Sequence, residues 1–196
     1  MVDWTSYASI YRRNDGIMSF LRGNTISLRS VEPNDASTLF IWENNRLNWR
    51  VSHTEVPFSM HNIHQLIEQF SNLRTSGQLR LMIDSNASGK SIGTIDLFDV
   101  NFKHGFATIG ILIADDADRG QGIATEALSL CISYCKEELE LRNIQCFVQS
   151  DNLPSLNLFR KLGFREVGIR KEWYLYNGKF FDEIAFQLCL KNQNEG

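Results

Sequence analysis

The order of periodic segments along the chain predicts one mixed α/β domain with an α+β mixed sheet of about seven strands and about four helices. Three observations support this prediction. A first strand is followed by two helical segments, three alternating strands come next, and a helix, strand and helix then precede a final pair of strands. The 196 residues are sufficient for a single core with a ligand cleft.

Residues 25–190 carry this pattern and are predicted to form the domain. Residues 1–24 show no sustained period and are predicted to be an N-terminal extension, and residues 191–196 a C-terminal tail.

In the first half, "TISLRSV" alternates as a strand, and Pro33 with Asn34 opens a helix in "EPNDASTLFIWENN". Residues 59–74 repeat apolar side chains at helical spacing after Ser59, a plausible cap. Three segments with short polar connections then predict neighbouring antiparallel strands: residues 78–84, 91–100 and 105–115.

The second half predicts a helix from Ile123, a strand over 144–149 and a helix over 153–163 that ends at Gly163. Residues 168–190 predict an antiparallel hairpin that turns at Asn177-Gly178.

The segment "NASGKS" (residues 86–91) ends like a nucleotide-binding P-loop. That motif needs a glycine where this chain has Asp84, and a helix where this chain continues as the strand "IGTIDLF". Residues 86–90 are therefore predicted to be a hairpin turn.

Composition excludes several functional classes. The net charge of −3 argues against broad electrostatic binding to nucleic acid and fits a cationic substrate better. The apolar stretches are too short for a membrane-spanning helix, and no secretion signal is recognised, so we expect no membrane association.

The four cysteines, at positions 131, 135, 146 and 189, form no CxxC pair and no cluster with histidine at metal-ligand spacing. They are interpreted as buried free thiols of a cytoplasmic protein without a metal, a metal site being the alternative.

The stretch "DADRGQGIATEAL" (residues 116–128) follows a strand and leads into an amphipathic helix. A helix N-terminus offers unpaired N–H groups and a positive dipole end, which favour a bound anion. Gly120 and Gly122 leave room for a diphosphate, and Arg119 adds a positive charge. The alternative is a strand-to-helix corner without a ligand.

This loop resembles the acetyl-CoA signature of the GNAT N-acetyltransferases, because Arg119, Gly122 and Ala124 follow the pattern Arg-x-x-Gly-x-Ala. "VQSDNLPSLNLFRKLGF" is similar to a later segment of that family, and the order of elements agrees over about residues 25–190. The resemblance implies a GNAT-like acyl-CoA N-acyltransferase fold with a splayed central sheet, and acetyl-CoA as cosubstrate.

The resemblance also implies which residues bind acetyl-CoA. The backbone of Leu112, Ile113 and Ala114 would pair with the pantetheine arm as an added strand does. The pyrophosphate would be bound by backbone N–H groups beside Arg119, and Asn152 would contact the cosubstrate from the next strand unless it only caps the following helix. The residues of the pyrophosphate loop are Gly120, Gln121, Gly122, Ile123 and Ala124.

Many family members carry a tyrosine, the proposed acid for the departing thiolate, where this chain has Phe159 in the cosubstrate site. Some ribosomal-protein N-terminal acetyltransferases resemble this chain in having a serine at the start of the helix. Ser155 is therefore predicted to donate a hydrogen bond to the thiolate and to contact the cosubstrate, the alternative being an ordinary first-turn serine.

The attacking amine must be neutral, which suggests a general base. Glu43 is the first candidate for a base or amine-binding acid, with Glu172, Asp182 and Glu183 as others; structural acids or a water relay are the alternatives. The histidines at 53, 61, 64 and 104 show no partner in sequence.

The chain looks most like the branch that includes spermidine and ribosomal-protein N-terminal acetyltransferases. The predicted partner is thus a small primary amine such as a polyamine, with N-terminal or amino-sugar amines, or a non-catalytic acetyl-CoA-binding module, as alternatives. A homodimer is a further possibility in this branch. Aromatic residues that could line the acceptor cleft are Trp42, Trp49, Trp173, Tyr174 and Tyr176.

Overall fold

The structure is a computed structural model that describes residues 13–14, 17–18, 21–52 and 54–190. The predicted tail, His53 and most of the predicted extension lie outside these residues. Within them, a two-stranded ribbon of β1 (Arg13–Asn14) and β2 (Ile17–Met18) precedes the main sheet. The division of the chain at residues 25 and 190 stays a prediction.

The main sheet has eight strands in the described residues, in the order β3-β4-β5-β6-β7-β8-β10-β9. Neighbouring strands in this sheet are antiparallel, except for β7 and β8, which are parallel. The mixed α/β class is thus confirmed, and β3 is one strand more than predicted because two residues show no readable alternation. The strands are β3 (Leu21–Arg22), β4 (Ile26–Ser30), β5 (Leu79–Ser85), β6 (Ser91–Asn101), β7 (Phe106–Ile113), β8 (Asn143–Gln149), β9 (Arg165–Tyr176) and β10 (Lys179–Cys189).

Six α-helices occur in the described residues, where about four were predicted. The first predicted helix ends at Glu43, where the Asn44 amide donates to Phe40 O (2.9 Å), and an additional helix that was not predicted begins at Arg46, where Asn45 Oδ1 accepts from Leu47 N–H (3.1 Å). The helices are α1 (Ala36–Glu43), α2 (Arg46–Ser52), α3 (Met60–Phe70), α4 (Leu73–Ser76), α5 (Ile123–Glu137) and α6 (Leu153–Lys161).

Three local predictions are confirmed. Ser59 caps α3, because its hydroxyl accepts from Asn62 N–H at 3.1 Å. The segment that resembles a P-loop is the β5–β6 turn, closed by a bond from Ser85 N–H to Lys90 O (2.9 Å). The last hairpin turns at Asn177-Gly178, where φ is +50° and +74°.

The two faces of the sheet carry separate apolar clusters. One cluster joins the sheet to α5 and α6 and includes Cys131, Cys135 and Cys146, as predicted. The other joins Met82 of β5 to α1 and α3. The prediction of burial is wrong for Cys189, which is exposed, because side chains alternate along β10 and its neighbours Leu188 and Leu190 take the core side.

Two buried arginines attach the ends of α1 to the sheet. Arg29 of β4 pairs with Asp35, just before α1, and with Asp84, each at 2.7 Å. Arg80 of β5 pairs with Glu43, the last residue of α1, and with Asp96. Burial alone would lower the pKa of both guanidinium groups, but the two carboxylates beside each raise it, so both arginines stay charged.

We expect Arg29→Met to lower the free energy of unfolding by about 3–5 kcal/mol, because it leaves two carboxylates buried without a cation. Urea unfolding at pH 7 measures the change. The matched control is Arg160→Met, which removes an ion pair with Glu166 between half-exposed side chains and should cost less than about 1 kcal/mol. Equal losses in the two variants would contradict this assignment.

Candidate functional site

The parallel strands β7 and β8 separate before they end. Their pairing covers Phe106 with Asn143, Ala107 with Ile144 and Thr108 with Gln145. Beyond Thr108, β7 remains paired with β6 and β8 with β10, so the two strands diverge. A cleft of about 550 Å³ lies at this divergence, between the ends of β7 and β8 and the starts of α5 and α6.

The open edge of β7 is set by its pairing with β6. Ala114 N–H donates to Ile92 O (3.0 Å), and Leu112 O lies so close to Gly93 that a side-chain carbon at Gly93 would collide with it. Successive residues of a strand point their backbone N–H and C=O groups to opposite edges. The backbone polar groups of Ile111 and Ile113 therefore point away from β6 and towards the cleft.

The expectation that Leu112, Ile113 and Ala114 together present their backbone to the cosubstrate therefore needs correction. Leu112 lines the cleft, but its polar backbone groups, like those of Ala114, face β6. Ile111 was missed in the sequence because every residue of β7 except Thr108 is apolar, so alternation gave no sign of which edge is paired. Arg119 already donates to Ile113 O (2.9 Å from Nη2).

The loop before α5 needs glycine for its backbone conformation. Gly120 and Gly122 have φ of +77° and +84°, which side chains other than glycine resist. An added side-chain carbon at either position would meet nothing within 4 Å, so the space above both glycines is open. Gly122 is the N-cap of α5, whose first-turn N–H groups have no partner within the helix.

The cleft meets this helix start directly. Gly120, Gly122, Ala124 and Thr125 line it, together with Arg119, whose Nη1 also pairs with Asp116 (2.6 Å). The side chain of Ile123 instead packs in the core, and Gln121 donates from Nε2 to Ala117 O (2.7 Å). An anion at such a position gains about 0.3–1 kcal/mol from the helix dipole.

Glu126 connects the first turn of α5 to the corner before β4. Its carboxylate accepts from Thr25 N–H (3.0 Å), from the Thr25 hydroxyl and from Asn24 N–H. Partial burial acts to raise the pKa of Glu126, but these hydrogen bonds outweigh it and lower the pKa. The charged carboxylate thus stabilises the folded state above the unfolded pKa of about 4.3, and this contribution is lost as the pH falls through the lowered folded pKa.

We expect Glu126→Gln to lower the melting temperature by a few degrees at pH 7, because the amide replaces a charged acceptor of three hydrogen bonds. Calorimetry at pH 7 and pH 3.5 tests this. The matched control is Glu137→Gln at the other end of α5. The difference between wild type and Glu126→Gln should shrink at pH 3.5, and a difference that is independent of pH would contradict the assignment.

The opposite wall of the cleft comes from the start of α6. Asn152 caps this helix, its Oδ1 accepting from Ser155 N–H at 3.3 Å, and both residues line the cleft. Phe159, one turn further, also lines it but is buried against Phe164 at 5.1 Å between ring centres. A phenyl ring cannot donate a proton or a hydrogen bond to a thiolate. On this wall of the cleft, the Ser155 hydroxyl can donate one.

The predicted acids lie in other interactions. The Glu43 carboxylate is buried against Arg80, on the side of the sheet that α1 covers, and Glu43 is not among the described residues lining the cleft. This ion pair fits an anchor of α1 better than a base, which must give and take a proton. The sequence could not indicate the pairing because Arg80 is 37 residues away.

The acids of the last hairpin are paired as well. Glu183 is 1% exposed and accepts from Arg170 (2.6 Å) and from the Tyr174 hydroxyl. Asp182 accepts from Lys171 (2.7 Å) and from Glu172 N–H (2.9 Å). Glu172 is exposed at a bulge with φ of +51°.

Other predicted features also lie outside the cleft. The five aromatic residues named as candidates are not among the described residues that line it. Missed residues include Leu47 and Val51 of α2, which do line it. Cys146 lines it too, and burial raises the pKa of its thiol, so it stays protonated. Among the residues that the structure describes, His, Cys, Asp and Glu form no group of three or more that could hold a metal ion, and no helix is long and apolar enough to cross a membrane.

The profile of the Acetyltransferase (GNAT) domain matches residues 25–165. The chain belongs to the GNAT acetyltransferase family. The predictions of the family, of its fold, of an acetyl-CoA-dependent N-acetyltransferase and of acetyl-CoA as cosubstrate are thereby confirmed.

Individual relatives are distant. An uncharacterized N-acetyltransferase, p20 of Bacillus licheniformis, is 28% identical over 91% of this chain and 100% of its own length. The spermidine N(1)-acetyltransferase of Escherichia coli K12 is 23% identical over 85% of this chain and 86% of its own. A crystal structure of the Vibrio cholerae spermidine N-acetyltransferase in complex with CoA and spermine has a TM-score of 0.78 at 22% identity, over 86% of this chain and 97% of that one.

Proposed function

We propose that the cleft between β7 and β8 binds acetyl-CoA and transfers its acetyl group directly to a primary amine. The observation that carries this proposal is that one opening joins the edge of β7 at Ile111 and Ile113, which is not paired with β8, to the first-turn N–H groups of α5 beyond Gly122. The strand edge suits an extended amide chain such as pantetheine, and the helix start suits a diphosphate.

The two ends of the cleft would bind different parts of the cosubstrate. The N–H groups of Ile111 and Ile113 and the Ile111 carbonyl oxygen would pair with the pantetheine arm, and Asn152 would contact it from the α6 side. The pyrophosphate would be bound by backbone N–H groups of residues 120–124, with the Arg119 charge beside them. Arg119 is positioned for this role by its bond to Ile113 O (2.9 Å).

In the proposed reaction, the amine nitrogen attacks the acetyl carbonyl carbon. The new C–N bond forms, the C–S bond breaks, and its electron pair leaves on sulfur as a thiolate. The ammonium proton passes to solvent, and the thiolate accepts a hydrogen bond from the Ser155 hydroxyl. A thiol of pKa near 8.5 leaves readily, so a hydrogen bond in place of a strong acid is sufficient.

Deprotonation of the amine is proposed to depend on water and on desolvation. An amine of pKa near 10.4 pays about 4–5 kcal/mol to be neutral at pH 7. Glu43, Asp182 and Glu183 are each bonded to a cation. Apolar walls that disfavour the charged ammonium lower this cost without a carboxylate base.

The acceptor is proposed to be a polyamine such as spermidine. Two observations support this acceptor. Relatives from Escherichia coli and Vibrio cholerae are spermidine N(1)-acetyltransferases, and the net charge of −3 of this chain favours a cationic substrate. N-terminal and amino-sugar amines are the alternatives.

We also propose that the protein is a cytoplasmic homo-oligomer. A Vibrio cholerae spermidine N-acetyltransferase structure is described as dodecameric. Here, the last hairpin exposes apolar side chains that a partner copy could cover: Val167, Ile169, Trp173, Leu175 and Phe180. The buried free thiols Cys131, Cys135 and Cys146 fit a reducing compartment.

Release of free thiol from acetyl-CoA tests the proposed activity. We expect thiol release above the hydrolysis background with spermidine, and less with a peptide N-terminal amine or glucosamine. The reaction without amine is the control. Tight acetyl-CoA binding with no amine-dependent release would contradict the proposal and indicate a non-catalytic binding module.

We expect Ser155→Ala to lower kcat by about 100-fold, at the lower end of the effect of general acids because the thiolate leaves readily. The KM for acetyl-CoA should change by less than about twofold, since the helix cap at Asn152 uses the Ser155 backbone rather than its hydroxyl. The matched control is Ser129→Ala on α5, whose hydroxyl donates to Thr125 O. An unchanged kcat in Ser155→Ala would remove the assignment.

A further inference from the structure

Arg50 connects α2 to the end of β8 through a reciprocal pair of hydrogen bonds. Its Nε donates to Gln149 Oε1 (2.9 Å), and its backbone oxygen accepts from Gln149 Nε2 (2.9 Å). Its Nη2 also pairs with Asp151, just after β8. Gln149 lines the cleft, so these bonds place α2 at the cleft wall.

The same guanidinium contacts the last hairpin. It lies 4.8 Å from the ring centre of Tyr176 on β9 and 4.7 Å from that of Phe181 on β10. A cation over an aromatic face gains about 0.5–2 kcal/mol, depending on its exposure. One side chain therefore joins α2, β8 and the β9–β10 hairpin.

Helix α2 depends on such contacts for its position. It spans seven residues, and a helix of this length is not stable by itself. On the side of α1, Trp49 Nε1 donates to Glu43 O (2.8 Å) and Asn48 Nδ2 to Trp42 O (3.2 Å). Arg50 supplies attachment on the side of the cleft.

The residues of α2 that line the cleft have unusually little protein contact. Leu47 is 81% exposed and Val51 is 47% exposed, although both are apolar. They are four residues apart and share one face of the helix. Leu47 and Val51 line the cleft from α2, whereas Gly120 and Gly122 line it from the loop before α5, so this apolar wall would contact what enters from the α2 side.

We propose that Arg50 is a positioning residue that sets the acceptor wall, defined as Leu47 and Val51, and thereby the affinity for the amine but not for acetyl-CoA. This inference rests on the proposed function. Arginine suits the role because its planar fork can bond to Gln149 and Asp151 while its faces stack on two rings, which a lysine ammonium cannot reproduce.

The test compares Arg50→Lys with wild type in the full chain. We expect the KM for the amine to rise about tenfold or more, because small displacements of a binding wall have large effects. The acetyl-CoA Kd, measured by calorimetry, should change by less than about twofold. The matched control is Arg74→Lys, which also removes an arginine from an aromatic ring, that of Phe102 at 4.5 Å, but outside the cleft.

Hydrogen exchange separates this inference from the proposed function, since it needs no turnover. In Arg50→Lys the amides of α2 should exchange faster, while those of α5 are unchanged. The inference is overturned if α2 exchange is unchanged, or if acetyl-CoA affinity falls as much as amine affinity. A wild type that turns over no amine would overturn the proposed function and the amine-affinity part of this inference, whereas faster exchange would still support the attachment of α2 by Arg50.

Discussion

The site depends on one constraint: β7 and β8 stop pairing before either strand ends. A sheet satisfies its backbone polar groups by pairing, so two strands that diverge leave the facing edge of each strand open. Here the parallel ladder stops at Thr108 with Gln145. The edge at Ile111 and Ile113 is therefore available to a ligand with amide groups of its own.

The elements around this opening are positioned by polar contacts between distant parts of the chain. Arg29 and Arg80 attach α1, Glu126 attaches the start of α5, and Arg50 attaches α2. The groups that would contact ligands are mostly backbone and apolar atoms. Charge in this protein thus mainly fixes the walls of the cleft, and in the proposed function the helix start and the strand edge recognise the cosubstrate.

Much of this arrangement could be predicted from the sequence because the signals are local. Gly120 and Gly122 indicate the turn before α5. Ser59 indicates the N-terminal cap of α3, and Asn152 indicates that of α6. Features that depend on distant pairing could not be predicted. The apolar run of β7 does not show which residues face β6, so it could not correct the Leu112 and Ala114 that the resemblance implied in favour of Ile111. No residue near Glu43 in the sequence indicates its pairing with Arg80.

The most direct measurement of the central claim is residue-resolved amide hydrogen exchange by NMR with and without acetyl-CoA. If the cosubstrate pairs with the open edge of β7, the Ile111 and Ile113 amides should exchange at least about tenfold more slowly at saturation. The Ala114 amide, already bonded to Ile92, should change little. Unchanged exchange at Ile111 and Ile113 with acetyl-CoA bound would contradict the account.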